Sequence, residues 1–328
     1  MSGLSTDFLN AMTREKFLKV LKNNLYSKPA LMNQLFAKGR VQEMTGRSLA
    51  WNVVGVKHSS VGVFQGYDTL ANQPVNPIVG ASLSTANYYA TVALSLEEEK
   101  KNSGSQEKLL DMLKVQFENA QSSLKDRMST DIYGAGTAVG GRQVLQGLGV
   151  AITGATGTYA GINRATAGNE FWRSNADATA YTLVNLKDPT STSYMPGVMR
   201  TSYTNASYDN SPDLIVTTKQ LYNLYQDIAA SQNLRFDNNE ANLGFKGVKF
   251  GPGVTMIFDD YCTANYIYFL SLPTWSVFVF PGVNFDMKEP GWQIPTDQAA
   301  KVAQILWMGQ IRCDTPRENA VMSSVGAS

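Results

Sequence analysis

Hydrophobic residues keep a three- or four-residue step over one stretch of the chain: Leu109, Leu113, Phe117, Ala120, Leu124, Met128 and Ile132. That spacing places them on one face of a 3.6-residue helix. Ser105 suits the cap, Glu107 suits the first turn, and Gly134 lies where the helix should stop. The pattern predicts one helix over 105–133, roughly 42 Å long at 1.5 Å per residue. Lys108, Lys114, Glu118, Gln121, Lys125 and Asp126 take the opposite face, so the helix should lie across a sheet with that face in solvent.

A period of two appears where Leu49, Trp51 and Val53 alternate with Ser48, Ala50 and Asn52. It returns where Tyr88, Ala90, Val92, Leu94 and Leu96 alternate with Tyr89, Thr91 and Ser95. Between these strands, residues 58–83 hold Gly62, Gly66, Pro74, Pro77 and Gly80 and no run suited to a helix. Two strands around an irregular tip of that length predict a long projecting hairpin. A compact domain rarely carries such a loop unless something else orders it. Upstream, Phe17, Leu21 and Leu25, with Leu18 beside them, make a narrow helical stripe. Pro29 suits the first turn of a second short helix, and Gly39 its end. Residues 134–212, rich in Gly, Ser, Thr and Asn, give short strand candidates such as 181–186 and no helix. Beyond them the pattern predicts a buried strand at Leu214-Ile215-Val216. A helix opens at Thr217 or Thr218 with Leu221, Leu224, Tyr225 and Ile228 on one face. Further strands are predicted at 254–258, 266–272, 275–280 and 301–313.

Charge changes the picture in one respect. Residues 1–60 carry nine Lys/Arg against Asp7, Glu15 and Glu43, a net of +6, while the whole chain of 328 residues is only +1. A basic arm therefore precedes a weakly acidic body. Charged residues are 17% of the chain against about 25% in an ordinary soluble domain, so little long-range repulsion keeps copies apart. Cys262 and Cys313 form no Cys-x-x-Cys pair, which argues against a disulfide framework or a zinc site. The opening residues, MSGLSTDFLN, lack the charged-then-apolar pattern of a signal peptide, so none is expected. Pro273 and Pro281 interrupt the most apolar stretch, Tyr266–Val283, and Pro273-Thr274 reads as a turn between strands, so no membrane span is predicted.

The chemistry of an enzyme is not visible. The single histidine, His58, sits on or beside the hairpin, where a solvent or interface position is expected. It cannot form a His-His metal motif, and no Gly-x-Ser-x-Gly elbow or phosphate-binding Gly-x-x-x-x-Gly-Lys-Ser/Thr loop exists. Residues 150–161, VAITGATGTYAG, resemble the glycine turn of an NAD-dependent short-chain dehydrogenase, with Gly154, Gly157 and Ala160 suitably spaced. However, 163–169 lacks the helical stripe that turn should open, and no Tyr-x-x-x-Lys pair exists. No catalytic residue, cofactor ligand or metal ligand is assigned, and the chain is expected not to be an enzyme. Cys262 and Cys313 are expected in buried strands, and Trp172, Trp275 and Trp307 in the core or an interface.

Three local patterns, with the order of elements, resemble the tailed-bacteriophage major capsid protein. Residues 158–173, TYAGINRATAGNEFWR, are similar to its Gly-Gly-Ile-x-Arg…Trp-Arg segment, with Ala160 in place of the first glycine. Residues 212–228, PDLIVTTKQLYNLYQDI, resemble its Pro-Asp-Leu-Ile strand and helix. Residues 301–322, KVAQILWMGQIRCDTPRENAVM, resemble its closing strand, where a Gly-Gln-aliphatic step precedes Pro-Arg-x-Asn. The resemblance implies an α+β fold with named parts. These are an N-terminal arm (1–47), an extended loop (52–84), a peripheral domain (85–184 and 301–328, with a spine helix at 105–133) and an axial domain (185–300). It implies self-assembly into hexamers and pentamers of an icosahedral shell around double-stranded DNA, in the virion, after assembly in the bacterial cytoplasm. The implied partners are other copies, a separate scaffolding protein (unless the N-terminus is already processed), a portal, a decoration protein and non-specific contact with packaged DNA. A tail or portal component is the alternative assembly role.

Overall fold

The computed structural model describes residues 30–37, 39–70, 74–97, 106–231, 248–251, 253–287, 293–295 and 299–326; the side chains of 106–114, 230–231, 248 and 287 fall outside that description. The basic arm with Phe17, Leu18, Leu21, Leu25 and Pro29, and the Ser105 cap, lie outside the described residues. The described chain runs α1 (Ala30–Leu35), β1 (Val41–Glu43), β2 (Ser48–Val54), β3 (Ile78–Ser84), β4 (Ala86–Ser95) and α2 (Gln106–Tyr133). It continues through α3 (Leu148–Ala151), β5 (Thr158–Tyr159), β6 (Ile162–Asn163), β7 (Asn175–Asp177), α4 (Leu183–Lys187), α5 (Met195–Ala206), β8 (Leu214–Thr217) and α6 (Lys219–Ser231). It closes with β9 (Val248–Gly251), β10 (Val254–Phe258), β11 (Ile267–Leu270), β12 (Trp275–Met287), β13 (Ala300–Cys313) and β14 (Ala320–Met322).

The chain forms two compact units. One is built on Asn87–Met128 and Phe280–Met308, the other on Pro29–Ala86, Ser129–Val279 and Gly309–Ser328. In the first, Trp307 is fully buried between Tyr88 and Phe285, at ring separations of 5.9 and 6.4 Å. The Lys125 ammonium lies 5.7 Å from the Phe285 ring centroid. The larger unit is organised on a six-stranded sheet of order β7-β14-β11-β8-β10-β9. Its middle strand β8 pairs parallel with β10 and antiparallel with β11, and all four of its residues are buried. That explains why Leu214–Thr217 reads as a continuous apolar run rather than an alternation. Met195 and Met199 of α5, and Leu221, Leu224, Tyr225 and Ile228 of α6, pack with Ile215, Met256 and Phe269 of the sheet into one core. A second sheet has the order β1-β12-β13-β4, with β1 parallel to β12 from Val41↔Val277 to Glu43↔Val279.

The α+β class and the 28-residue helix are as predicted, with Leu124, Met128 and Ile132 buried and Glu118 and Lys125 exposed. Five expectations need correction. The hairpin partner of β2 is β3, from Ser48↔Ser84 to Val54↔Ile78, whereas the Tyr88 strand is part of β4 in the four-stranded sheet. Residues 183–187 are a helical turn capped by Thr182, whose hydroxyl accepts from Asn185 N, and only Leu186 in it is buried. Residues 195–206 are a helix within a region where none was predicted. Pro281 also fails to end its strand. β1 pairs with β12 only as far as Val279, so Pro281 lies past the last residue whose N–H that pairing needs. Cys313 ends β13 as expected, but Cys262 lies in a turn after β10. Both thiols are buried and free, and burial pushes the Cys313 thiol up to about 12, so neither is poised for chemistry. Among the described residues, no helix is long and apolar enough to cross a membrane.

Candidate assembly surface and the clamps beneath it

The β2–β3 pair continues into an irregular tip, and here the protein exposes its apolar side chains. Eight of the thirteen exposed large hydrophobic residues among those described fall between Val54 and Ile78: Val54, Val56, Val61, Val63, Phe64, Tyr67, Leu70 and Ile78. Val63 and Tyr67 are as accessible as in an extended peptide, at 103% and 108%. Scattered exposed apolar residues are ordinary, but a concentration of this kind marks an interaction surface. His58 lies on the same segment, exposed, its Nδ1 accepting from Ser60 N at 3.2 Å.

The base of the hairpin is held by buried polar and aromatic groups. Ser82 N donates to Ala160 O at 2.9 Å. Gln310, fully buried on β13, donates from Nε2 to Ser84 O at 2.7 Å and accepts on Oε1 from Gln146 N and Ile311 N. Trp51 of β2 meets Trp172 at 6.5 Å, and the Arg312 guanidinium lies over both the Trp51 and Phe278 rings, at 5.3 and 4.6 Å. Gly55 has no room for a side chain, since a Cβ there would overlap the Phe171 ring.

The turn that resembled a nucleotide-binding loop has the opposite polarity. Arg164 is fully buried and donates to the carbonyls of Trp172 (3.0 Å), Val150 (3.0 Å) and Ala151, and to Thr153 Oγ1 (2.6 Å). Val150 and Ala151 end α3, where carbonyls carry partial negative charge, so the guanidinium caps that terminus. Among the described residues no carboxylate pairs with it, and burial lowers its pKa. Gly154 (φ 76°) and Gly157 (φ 80°) supply left-handed turns that wrap the chain around this cation. Gly157 O accepts from Arg164 N. A pyrophosphate site needs N–H groups converging at a helix start. Here carbonyls converge on a cation, and the chain enters the short β5–β6 hairpin instead of a helix. The geometry does not fit a dinucleotide. Among the described residues there is also no group of three His, Cys, Asp or Glu side chains that could hold a metal ion.

The other patterned residues are clamps as well. Asn319 is fully buried; its Oδ1 accepts from Ser271 N and Trp275 Nε1, both at 3.0 Å, and its Nδ2 donates to Thr315 O and Thr274 Oγ1. Asp213 Oδ1 accepts from Leu272 N at 2.8 Å. Tyr159 stacks on Trp172, accepts on its hydroxyl from Cys313 N, and takes Trp172 Nε1 on its carbonyl. Trp172, Trp275 and Trp307 are all buried, as expected. One clamp had no signal in the sequence. Buried Asp259 accepts on Oδ2 from Leu31 N at 2.8 Å, tying the start of α1 to the end of β10. Burial pushes its carboxyl up to about 6, against the pull of the Leu31 N–H and the Tyr133 hydroxyl.

No protein-family model and no curated protein matches this sequence. Solved structures do match it in three dimensions. The capsid asymmetric unit of cyanophage A-1(L) aligns over 98% of both chains with a TM-score of 0.66 at 19% identity. This chain has the tailed-phage capsid fold. The capsid of Myoviridae phage XM1 aligns over 94% of this chain and 95% of its own, with a TM-score of 0.58 at 13% identity. The holo-SrpI encapsulin complex of Synechococcus elongatus PCC 7942 aligns over 99% and 96%, with a TM-score of 0.59 at 10% identity.

Proposed function

We propose that this chain is a major capsid protein, assembling as hexamers and pentamers into an icosahedral shell that encloses double-stranded DNA. The observation that carries the reading is the exposed apolar hairpin on a fold whose matches are shell subunits. Covering eight such side chains in neighbouring copies is worth on the order of 10 kcal/mol per hairpin before ordering costs. That is too much apolar surface to leave in water. In this reading the N-terminal arm is 1–47, the extended loop 52–84, the peripheral domain 85–184 with 301–328, and the axial domain 185–300. The partners are other copies, a separate scaffolding protein, a portal, a decoration protein and, without sequence preference, packaged DNA. The site of action is the virion, assembled in the bacterial cytoplasm. No catalysis is assigned.

The test is negative-stain microscopy of the purified protein, combined with proteolysis. Closed shells support the proposal; rings or tubes would indicate a portal or tail component. Chymotrypsin should cut unassembled subunits first at Phe64, Tyr67 and Leu70, and trypsin at Lys57, while assembled particles resist. Equal resistance in both states would remove the hairpin from the interface. The encapsulin match favours a second reading, a shell that holds protein rather than a genome. Nuclease-protected DNA in particles from the native source supports the capsid, and protected protein cargo without DNA supports the compartment.

A further inference from the structure

An open cleft of about 430 Å³ lies beside the turns at 170–172 and 316–318 and the end of α5, lined by Glu170, Arg173, Asn175, Asn205, Tyr208 and Arg317 among others. Its two cations are held in place. Arg173 Nε donates to Arg164 O at 2.9 Å, and its Nη2 lies 3.5 Å from Glu170 Oε1. Glu170 is itself engaged, its Oε2 accepting from Gly168 N. The exposed Arg317 guanidinium lies 3.9 Å from the Tyr208 ring centroid and pairs with no carboxylate among the described residues. At the end of α5, the Tyr203 carbonyl accepts from the Ser207 hydroxyl and the Thr204 carbonyl from the Ser207 N–H. The exposed Arg317 guanidinium thus stands in the cleft next to an aromatic ring, with Arg173 close by in the lining. Such a site fits a planar oxyanion, a carboxylate in particular.

The hairpin presents one. From residue 58 to 83, Asp68 is the one formally charged side chain. A tight turn fixes it at the tip: Gln65 N donates to Asp68 Oδ2 at 2.7 Å, and Asp68 N to Gln65 O at 3.3 Å. Asp68 is exposed, and no ion pair joins it to Arg173 or Arg317 within the subunit. Val63, Phe64, Tyr67 and Leu70 flank it. Covering those side chains draws the carboxylate out of water, which is strongly unfavourable unless a cation meets it. Building on the shell reading above, we propose that the hairpin tip of one subunit places Asp68 in the Arg173–Arg317 cleft of a neighbouring copy.

Charge reversal in the full chain tests this. Asp68→Arg and Arg317→Asp subunits, shown folded by circular dichroism, should each need roughly fivefold or more higher concentration to assemble, with the effect shrinking at high salt. The double variant should recover to within about twofold of the unmodified chain. A second measurement uses Asp68→Cys with Arg317→Cys. Assembled particles treated with a short bismaleimide, which adds to both thiols without an oxidant and spans the reach of the lost arginine, should give an intermolecular cross-linked ladder on denaturing gels, since Cys262 and Cys313 are buried. Single reversals that assemble normally, a double variant that stays defective, or particles lacking the ladder would each overturn the proposal. Failure of the unmodified chain to form any shell would overturn the shell reading itself.

Discussion

Replacing Arg164 by methionine tests whether buried polar clamps, rather than apolar packing alone, hold the frame under the hairpin. Methionine fills much of the same space but donates nothing. The carbonyls of Val150, Ala151 and Trp172, which now accept from the guanidinium, would be left without that partner in the interior. Each buried orphan costs about 1–3 kcal/mol, so three give roughly 3–9 kcal/mol. Methionine also relieves the cost of burying an unpaired cation, which offsets part of this loss. The net expected destabilisation is about 3–5 kcal/mol. Lysine should rescue little, because one ammonium cannot reach carbonyls that a planar fork meets from different sides.

The assay is urea unfolding of unassembled subunits, read with amide exchange over residues 150–173. Exchange reports the local unit even if the two compact units unfold separately. Arg164→Met should lower the urea midpoint with little change in slope and should speed exchange first around Trp172, whose indole N–H bonds Tyr159 O. A loss under about 1 kcal/mol would refute the reasoning, since it would mean that water satisfies those carbonyls at no cost. So would a lysine variant as stable as the original.

Three further outcomes follow from local geometry. Asp259, pushed up to about 6 from 3.8, holds a proton when folded that the unfolded chain has lost, so stability should rise as pH falls from about 6 to 4, by up to about 3 kcal/mol. Asp259→Asn should flatten that pH dependence in thermal melts, and an unchanged slope would assign the titration elsewhere. Ala160 has a φ of 51°, so Ala160→Gly should stabilise the subunit by about 1 kcal/mol in urea titration; a loss would show that its buried Cβ outweighs the strain. A Cβ on Gly147 would overlap the Ile132 carbonyl, so Gly147→Ala should cost about 1–3 kcal/mol by the same titration, and a neutral result would mean that the α2 terminus can shift.

The elements legible in the sequence were those whose burial follows a single period. The stripe of α2 buries Leu124, Met128 and Ile132, and β8 buries all four of its residues, so pattern was enough to find them. Helix α5 was hidden because Gly197, Val198, Thr201, Ser202, Thr204 and Asn205 are poor helix formers. Its burial at Met195, Met199, Ser202 and Ala206 is nonetheless helical in spacing, and Pro196 stands at its start. The strand expectation at 181–186 failed for the converse reason: Tyr181 and Leu183 alternate, yet Leu183 is only partly buried and Leu186 carries the packing. β3 was missed because Gly80, Ala81, Ser82 and Ser84 carry little apolar signal, and its place is set by pairing with β2 and by Ala160 O. The candidate surface could be anticipated from the irregular, apolar 58–83 segment. The cleft that faces outward at Arg173 and Arg317 could not, because its residues come from three separate stretches of chain.

Within the three sequence patterns that resembled the capsid family, Arg164, Asp213, Gln310 and Asn319 are buried or half-buried groups that clamp the backbone. Each satisfies backbone N–H or C=O groups at turns, short helical turns or strand ends, Gln310 taking Gln146 N and Ser84 O. A fold with short strands, tight turns and a hairpin anchored at its base must satisfy many such groups away from regular structure. A side chain that does so has a fixed length, shape and donor pattern, so few substitutions preserve it. The hairpin tip is under no such constraint from its own subunit. Under the proposed assembly its residues would need only to match the copy they meet, and a change there could be answered by a change in the partner surface. That asymmetry gives a physical reason why this fold can be kept at 10–19% identity to its structural matches: the clamps tie each subunit's own frame, and the tip does not.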